Sequence, residues 1–317
     1  MSRLGPVKNF VLALTLAVLL FLSAVAIPLV GAVLIPLMPQ PGLGYGTRYG
    51  NGKGAALVFA TLGLLVLIGG KEMAWSYAPV ALMIVILLCS FGRGWPIERL
   101  VIVSASMMLA AMVAGFWFLF GSFADIANGI RGILSENLDI SLKAFEKMGL
   151  AQEGRDLLKT HAPQMIDIIV QILPALALAG FMFLILINLL LLYRRFPEHR
   201  SYLWTSPDLR EWKAPEFLVW CFIASGFALF LPGRDVLRIP ALNIFLLIAI
   251  FYFFQGLAII AYYFHHKNVP HFLRSLAYAL IVFEQIFTIF VVGLGLFDLW
   301  GDFRRLNKKD LSPGRVS

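Results

Sequence analysis

Strongly polar side chains are scarce inside the apolar runs of this chain, so each one found there bears on chemistry. Glu284 stands in "LIVFEQIFTIF" (280–290), about eight residues into an apolar segment, with Gln285 beside it. Gln255 lies deep in the preceding apolar run, and Asn188 lies late in an earlier one. A carboxyl group at bilayer depth is costly and is by default a functional hypothesis. Glu284 facing Gln255 would form a polar pocket or a proton-linked site, with Gln285 and Asn188 as further ligand candidates. The competing reading is a protonated or hydrogen-bonded glutamate that holds two helices together. Asp167 and Asp298 fall near the ends of apolar runs and are expected to be wet.

Other chemistries find less support. His265, His266 and His271 share one connection, but adjacent residues on a helix point about 100° apart and rarely share an ion. No carboxylate accompanies them there, so an interfacial basic cluster is expected and no metal site. The chain has no HExxH and no Gly-x-Ser-x-Gly, so a hydrolase is unsupported and no enzyme activity or cofactor is expected. "TRYGNGKG" (47–54) fails as a phosphate loop, because Thr47 stands where glycine is needed and Gly54 where serine or threonine is needed. Cys89 and Cys221 lie within apolar runs and read as small core residues.

The elements that must hold these groups are membrane helices. The chain has 317 residues, 60% hydrophobic and only 14% charged, where a soluble domain carries about 25% charge. Apolar residues gather in runs near bilayer-spanning length, roughly 10–34, 55–69, 73–90, 100–120, 165–193, 215–232, 239–264 and 276–299. Continuous runs exclude a β-barrel, whose strands alternate. The fold class is therefore all-α: a polytopic transmembrane bundle with eight clear spans. The formal net charge of +8 lies between spans and at the ends, where it orients a protein against anionic lipid, so nucleic acid is not an expected partner. Arg3, Lys8 and "AVA" (24–26) imitate a signal peptide, but apolar sequence continues and an uncleaved first span is expected.

Residues 122–163 differ. They hold the largest group of acids between spans, and Ile130, Leu134, Leu138, Phe145 and Met148 recur near helical spacing. An amphipathic helix over about 126–148, stopped at Gly149, and a shorter one over about 152–160 are expected. They read either as a solvated hairpin or as a cover over a cavity. Trp204 and Trp212 suit the headgroup zone. The organisation expected is a bundle over 1–193, a basic connection over 194–213, C-terminal helices over 214–300 and a frayed polar tail over 301–317.

The span count turns on "IPLMPQPGLGYGTRYGNGKG" (35–54), with three prolines and six glycines. Read as an exterior loop, it gives eight spans. Read as a short glycine-rich crossing over 32–48, it gives nine, and it brings Arg194, Arg195, Arg200, Arg210 and Lys213 to the same side as a cytoplasmic N-terminus. The same crossing puts the basic tail outside, so charge alone leaves both open. Broken backbone is tolerated at membrane depth where protein or a wet cavity surrounds it.

The chain resembles the YybS-like family of bacterial inner-membrane proteins, whose activity is not established. "LPALALAGFMFLILINLLLLYRR" (173–195), "WKAPEFLVW" (212–220), "FFQGLAIIAYYFHHKNVPHFLRSLAYAL" (253–280) and "GLGLFDLWGDFR" (293–304) carry the likeness. The front part is similar to the substrate-binding membrane component of energy-coupling-factor transporters. "LIPLMPQPGLGYGTRYGNGKGAALVFA" (34–60) matches the Pro/Gly-rich approach to that component's short second helix. The likeness implies helices at 10–31, 32–48, 55–69, 73–90, 100–120 and 165–193, a small-molecule ligand, and energy-coupling ATPase and transmembrane subunits as partners. It also implies a partner-helix contact through Ala13 and Ala17. The last three spans, 215–299, have no counterpart there. The expectation is a multi-pass inner-membrane protein that binds or transports a small molecule. The alternatives are an assembly or scaffold protein and, third, an integral-membrane enzyme.

Overall fold

The computed structural model describes residues 5–27, 31, 33–147, 152–204, 208–231 and 235–304. Every regular element among them is helical: α1 Pro6–Ala26, α2 Gln40–Tyr49, α3 Asn51–Ser90, α4 Ile97–Phe120, α5 Phe123–Lys147, α6 Gln152–Arg195, α7 Arg200–Leu203, α8 Leu218–Leu229, α9 Asp235–His266, α10 His271–Phe283 and α11 Gln285–Gly301. The Gly149 stop and the tail beyond Arg304 lie outside the described residues.

Helix length gives fewer spans than the eight or nine expected. Among the described residues, α1, α3, α4, α6 (Lys159–Arg195) and α9 (Leu237–His266) are long and apolar enough to cross a membrane, and α10 with α11 would add a sixth if counted together. Three local causes account for the difference. Segments 55–69 and 73–90 join as α3, broken only at Gly69 and Gly70, where Gly70 takes φ 74°. The run 215–232 yields the 12-residue α8. The last run is interrupted at Glu284, where α10 and α11 meet with a 102° bend. The short helix expected at 152–160 does not end there but continues into the apolar run as α6, with Pro163 and Pro174 inside it.

The chain folds as two compact units, one of residues 1–121 and 180–206, the other of 122–179 and 207–317. In the first, α2 packs against α1 and α3. Pro39 and Pro41 deny the chain two backbone donors, which costs nothing at the start of a helix, and α2 begins there. Residues 41–47 are all buried, so this stretch is not a water-exposed loop. Its glycines allow the approach: a Cβ on Gly54 would stand 2.7 Å from the Cα of Gly46. Leu43, Leu57, Leu65, Ile84, Leu87 and Leu100 are fully buried around it. Outside this core the helices stay apolar. Only 28% of the most apolar window of α1 is buried within the protein, the pattern of a helix solvated by lipid rather than water. Cys89 and Cys221 are exposed on such outward faces, not buried in the core as expected. Trp204 is buried and stacks on Tyr193 at 4.7 Å, so it does not stand free in a headgroup zone.

In the second unit Ala214, Val219, Ile248 and Tyr252 form a core that Trp212, Phe222 and Leu296 complete. α9 and α11 cross where Gly256 meets Val291 and Gly295 meets Tyr252. α6 also needs help here. Next to Pro174, the Asn243 amide of α9 binds two main-chain groups of α6. The Ala175 N–H donates to Asn243 Oδ1 (3.0 Å), and Asn243 Nδ2 donates to the Gln171 carbonyl (2.8 Å). A proline within a helix disturbs the main-chain bonding around it, and a neighbouring amide can supply partners there.

Candidate functional site

Asn188, expected as a ligand group, is fully buried in the first unit and has its hydrogen-bonding capacity used. Its Nδ2 donates to the Pro36 carbonyl (3.0 Å) and to the Leu184 carbonyl (2.8 Å). Its Oδ1 and its main-chain oxygen accept from Gln40 Nε2 at 2.8 and 3.1 Å. Asn188 thus fastens the proline-rich approach of α2 to α6. Asn188→Leu leaves the Pro36 carbonyl without this donor and the Gln40 amide with only the main-chain oxygen of residue 188, and it is expected to cost about 2 kcal/mol. Thermal unfolding of the detergent-solubilised variant checks this.

Gln255 and Glu284 are not brought together. Gln255 is buried at 2% exposure, accepts from the Ala214 N–H (3.0 Å) and donates to Asp298 Oδ2 (3.1 Å). Glu284 stands exposed at the break between α10 and α11, and Gln285 beside it is exposed too. The break is stabilised by Thr288, whose hydroxyl donates to the Ile281 carbonyl (2.8 Å).

The polar centre of the second unit is built instead on Asp298, which is not wet as expected but 1% exposed. Its Oδ1 accepts from the Phe303 N–H (3.0 Å), and its Oδ2 accepts from Arg304 Nη2 (2.7 Å) as well as from Gln255. Both side chains of the Arg304–Asp298 pair are wholly buried. Arg304 therefore does not belong to a frayed tail. Its Nη1 donates to the carbonyls of Arg210 (2.8 Å) and Trp212 (2.9 Å), which clamps the 208–214 connection to the end of α11. That connection is shaped in advance: Asp208 caps the turn Leu209–Glu211. The hydrogen bonds from the Arg210 side chain hold the Asp208 carboxyl below its usual range, and the nearby charge of His265 adds to this. The sequence signal was available, since an acid and an arginine six residues apart flank the end of an apolar run.

The remaining candidates separate. Ala17 is 1% exposed and packs inward within the first unit, while Ala13 is half-buried. His266 stacks on Tyr262. Among the described residues no group of three His, Cys, Asp or Glu side chains is placed to hold a metal.

A cavity lies in the second unit, between α5 and the start of α6. It is a groove of about 350 Å³, and its charged lining residues are Arg131, Asp139, Lys159 and Asp167. Arg131 Nε donates to Asp167 Oδ1 at 2.8 Å, and Arg131 Nη1 donates to Asn128 Oδ1 at 3.1 Å.

Most of this helical chain lies within a stretch that matches one family model. The model is described as "Predicted membrane protein (DUF2232)" and matches residues 15–299. The chain belongs to this family. No curated protein and no solved structure matched it. As a DUF2232 protein it is an integral membrane protein, in keeping with its apolar, outward-facing helices. The family match spans α2 and the Asn188 tie, the groove, and Asp298 with Gln255, and stops short of Arg304.

Proposed function

We propose that this DUF2232 protein is a multi-pass component of the bacterial inner membrane that binds or transports a small molecule. In this reading residues 32–48 form a short discontinuous crossing in its bundle. The observation that carries the reading is α2. A ten-residue helix with three glycines, set behind a proline-rich lead-in, is buried over residues 41–47 and tied to α6 by Asn188. Short, interrupted helices of this kind mark binding sites in membrane transporters. The resemblance of residues 34–60 to the substrate-binding component of energy-coupling-factor transporters supports the same reading. On that likeness the chain supplies no ATPase and takes one from partner subunits. With α2 counted as a crossing, α3 counted as two crossings that meet at the Gly69–Gly70 break, and the N-terminus cytoplasmic, α5 faces the outside. The reading is not enzymatic.

One observation favours the second reading, an assembly or scaffold protein. Gly46 lies directly on Gly54, and Leu88 closes the contact, so α2 packs there as in a filled core. Two measurements separate the readings. Purification from bacterial membranes in mild detergent is expected to bring down ATPase subunits and one small molecule in near-stoichiometric amount. Glu136→Cys, at an exposed position on α5, is expected to react with a membrane-impermeant maleimide added outside the cell. Labelling from the cytoplasm alone, with neither ATPase nor small molecule retained, overturns the transport reading and leaves the scaffold.

A further inference from the structure

We propose that the groove between α5 and α6 is a binding site for a zwitterion with an apolar body, held between Asp139 and Lys159. The inference stands on these two helices alone and does not depend on the transport reading.

The register carries it. Each wall of the groove is one helix face, with lining positions spaced three or four apart. Arg131 is tied to Asp167, and the same groove takes residues 131–142 from α5 and 159–167 from α6, so the two walls run antiparallel. Asp139 lies eight residues after Arg131, and Lys159 lies eight before Asp167. Two turns along, about 12 Å from the Arg131–Asp167 pair, Asp139 and Lys159 therefore stand opposite each other. One end of the groove is closed by an ion pair. At the other end, neither Asp139 nor Lys159 forms an ion pair among the described residues. Between the two ends the lining is mostly apolar, with Leu138 from α5 and Ala162, Pro163 and Ile166 from α6, and Ser135 adds one hydroxyl.

The charges select the occupant. An anion held by Lys159 is repelled by Asp139, and a cation held by Asp139 is repelled by Lys159. A molecule with both an ammonium and an oxyanion satisfies both, through charge-assisted hydrogen bonds. Its apolar body then covers the four apolar side chains, in a volume within the range of small-molecule sites. Two sources offer this chemistry: the headgroup of an aminophospholipid, and a free apolar peptide or amino acid.

The test is hydrogen–deuterium exchange on the full-length protein in detergent micelles, with two probes, dioleoylphosphatidylethanolamine and the tripeptide Leu-Leu-Leu. One of them is expected to slow exchange saturably in both 131–142 and 159–167. Asp139→Asn and Lys159→Gln are each expected to raise the half-saturating concentration about tenfold, the loss of one charge-assisted bond. Asp125→Asn lies outside the groove, and it is expected to change nothing. Protection by the lipid alone assigns a headgroup site, and protection by the peptide alone assigns a soluble ligand. Protection by neither probe overturns the proposal, as does protection that both groove variants leave unchanged. Both substitutions are at exposed positions and preserve side-chain size, and the Arg131–Asp167 pair stays in place to hold the hairpin.

Discussion

Alanine at Gly295 is expected to destabilise the second unit by about 3 kcal/mol, the upper end of what overpacking costs. A Cβ at that position would fall on the main-chain carbonyl oxygen of Tyr252, and one at Gly256 would fall on the carbonyl oxygen of Val291. Backbone cannot rotate away as a side chain can, so α9 and α11 must separate. The crossing is then lost along with contacts of Tyr252 and Leu296. Gly293 is the internal control. It lies on the same helix with nothing within 4 Å of its Cβ position. Alanine there is expected to be neutral or to stabilise by about 1 kcal/mol, because glycine is the poorer helix former. Thermal unfolding of the two variants in detergent, followed by size-exclusion chromatography, reads the difference. Equal melting temperatures for Gly293→Ala and Gly295→Ala would show that α9 and α11 do not touch there.

The second large effect is expected from Arg304→Met. Removing one partner of a buried ion pair leaves the other charge without compensation and costs about 3–5 kcal/mol. Here the loss also frees the carbonyls of Arg210 and Trp212. The remedy distinguishes charge from shape. Adding Asp298→Leu to Arg304→Met removes the stranded carboxylate, and the double variant is expected to recover much of the loss, since apolar replacements of buried pairs are often near neutral. Lys213 and Asp302 form a nearby pair that keeps solvent contact at 32% and 21% exposure. Lys213→Ala is therefore expected to cost about 1 kcal/mol or less. A Lys213→Ala loss as large as that of Arg304→Met would place the clamp elsewhere. So would a double variant no better than Arg304→Met alone.

The sequence carried the helices well where one helix decides the outcome. Continuous apolar runs gave α1, α4 and the long apolar part of α6, and the separation of the runs 55–69 and 73–90 marked the break in α3 at Gly69 and Gly70. The proline-rich start of the crossing expected over 32–48 does not join the helix, and α2 begins only at Gln40. What escaped depends on a second element. Asp298 looked wet because it lies near the end of an apolar run, and only Arg304, beyond that run, makes its burial possible. The interruption at Glu284 has neither glycine nor proline to announce it, and its stabilising bond comes from Thr288. Asn243 gave no local sign that it would bind α6 beside Pro174. The amphipathic spacing of α5 was visible, including Leu138, but the groove arises only from the register of α5 on α6. Gln255 meets Asp298 rather than Glu284, because sequence distance does not tell which acid an amide will meet.

The short helices of the second unit bear on the lipid around them. α8, α10 and α11 have 12, 13 and 17 residues. At 1.5 Å per residue they extend about 18, 20 and 25 Å, while a typical hydrocarbon layer is about 30 Å thick. A bilayer meets such a mismatch by thinning, at a modest energy for each ångström. If such helices cross singly, the chain length of the surrounding acyl groups acts on this unit from outside, with short-chain lipids relieving the deformation and long-chain lipids sharpening it.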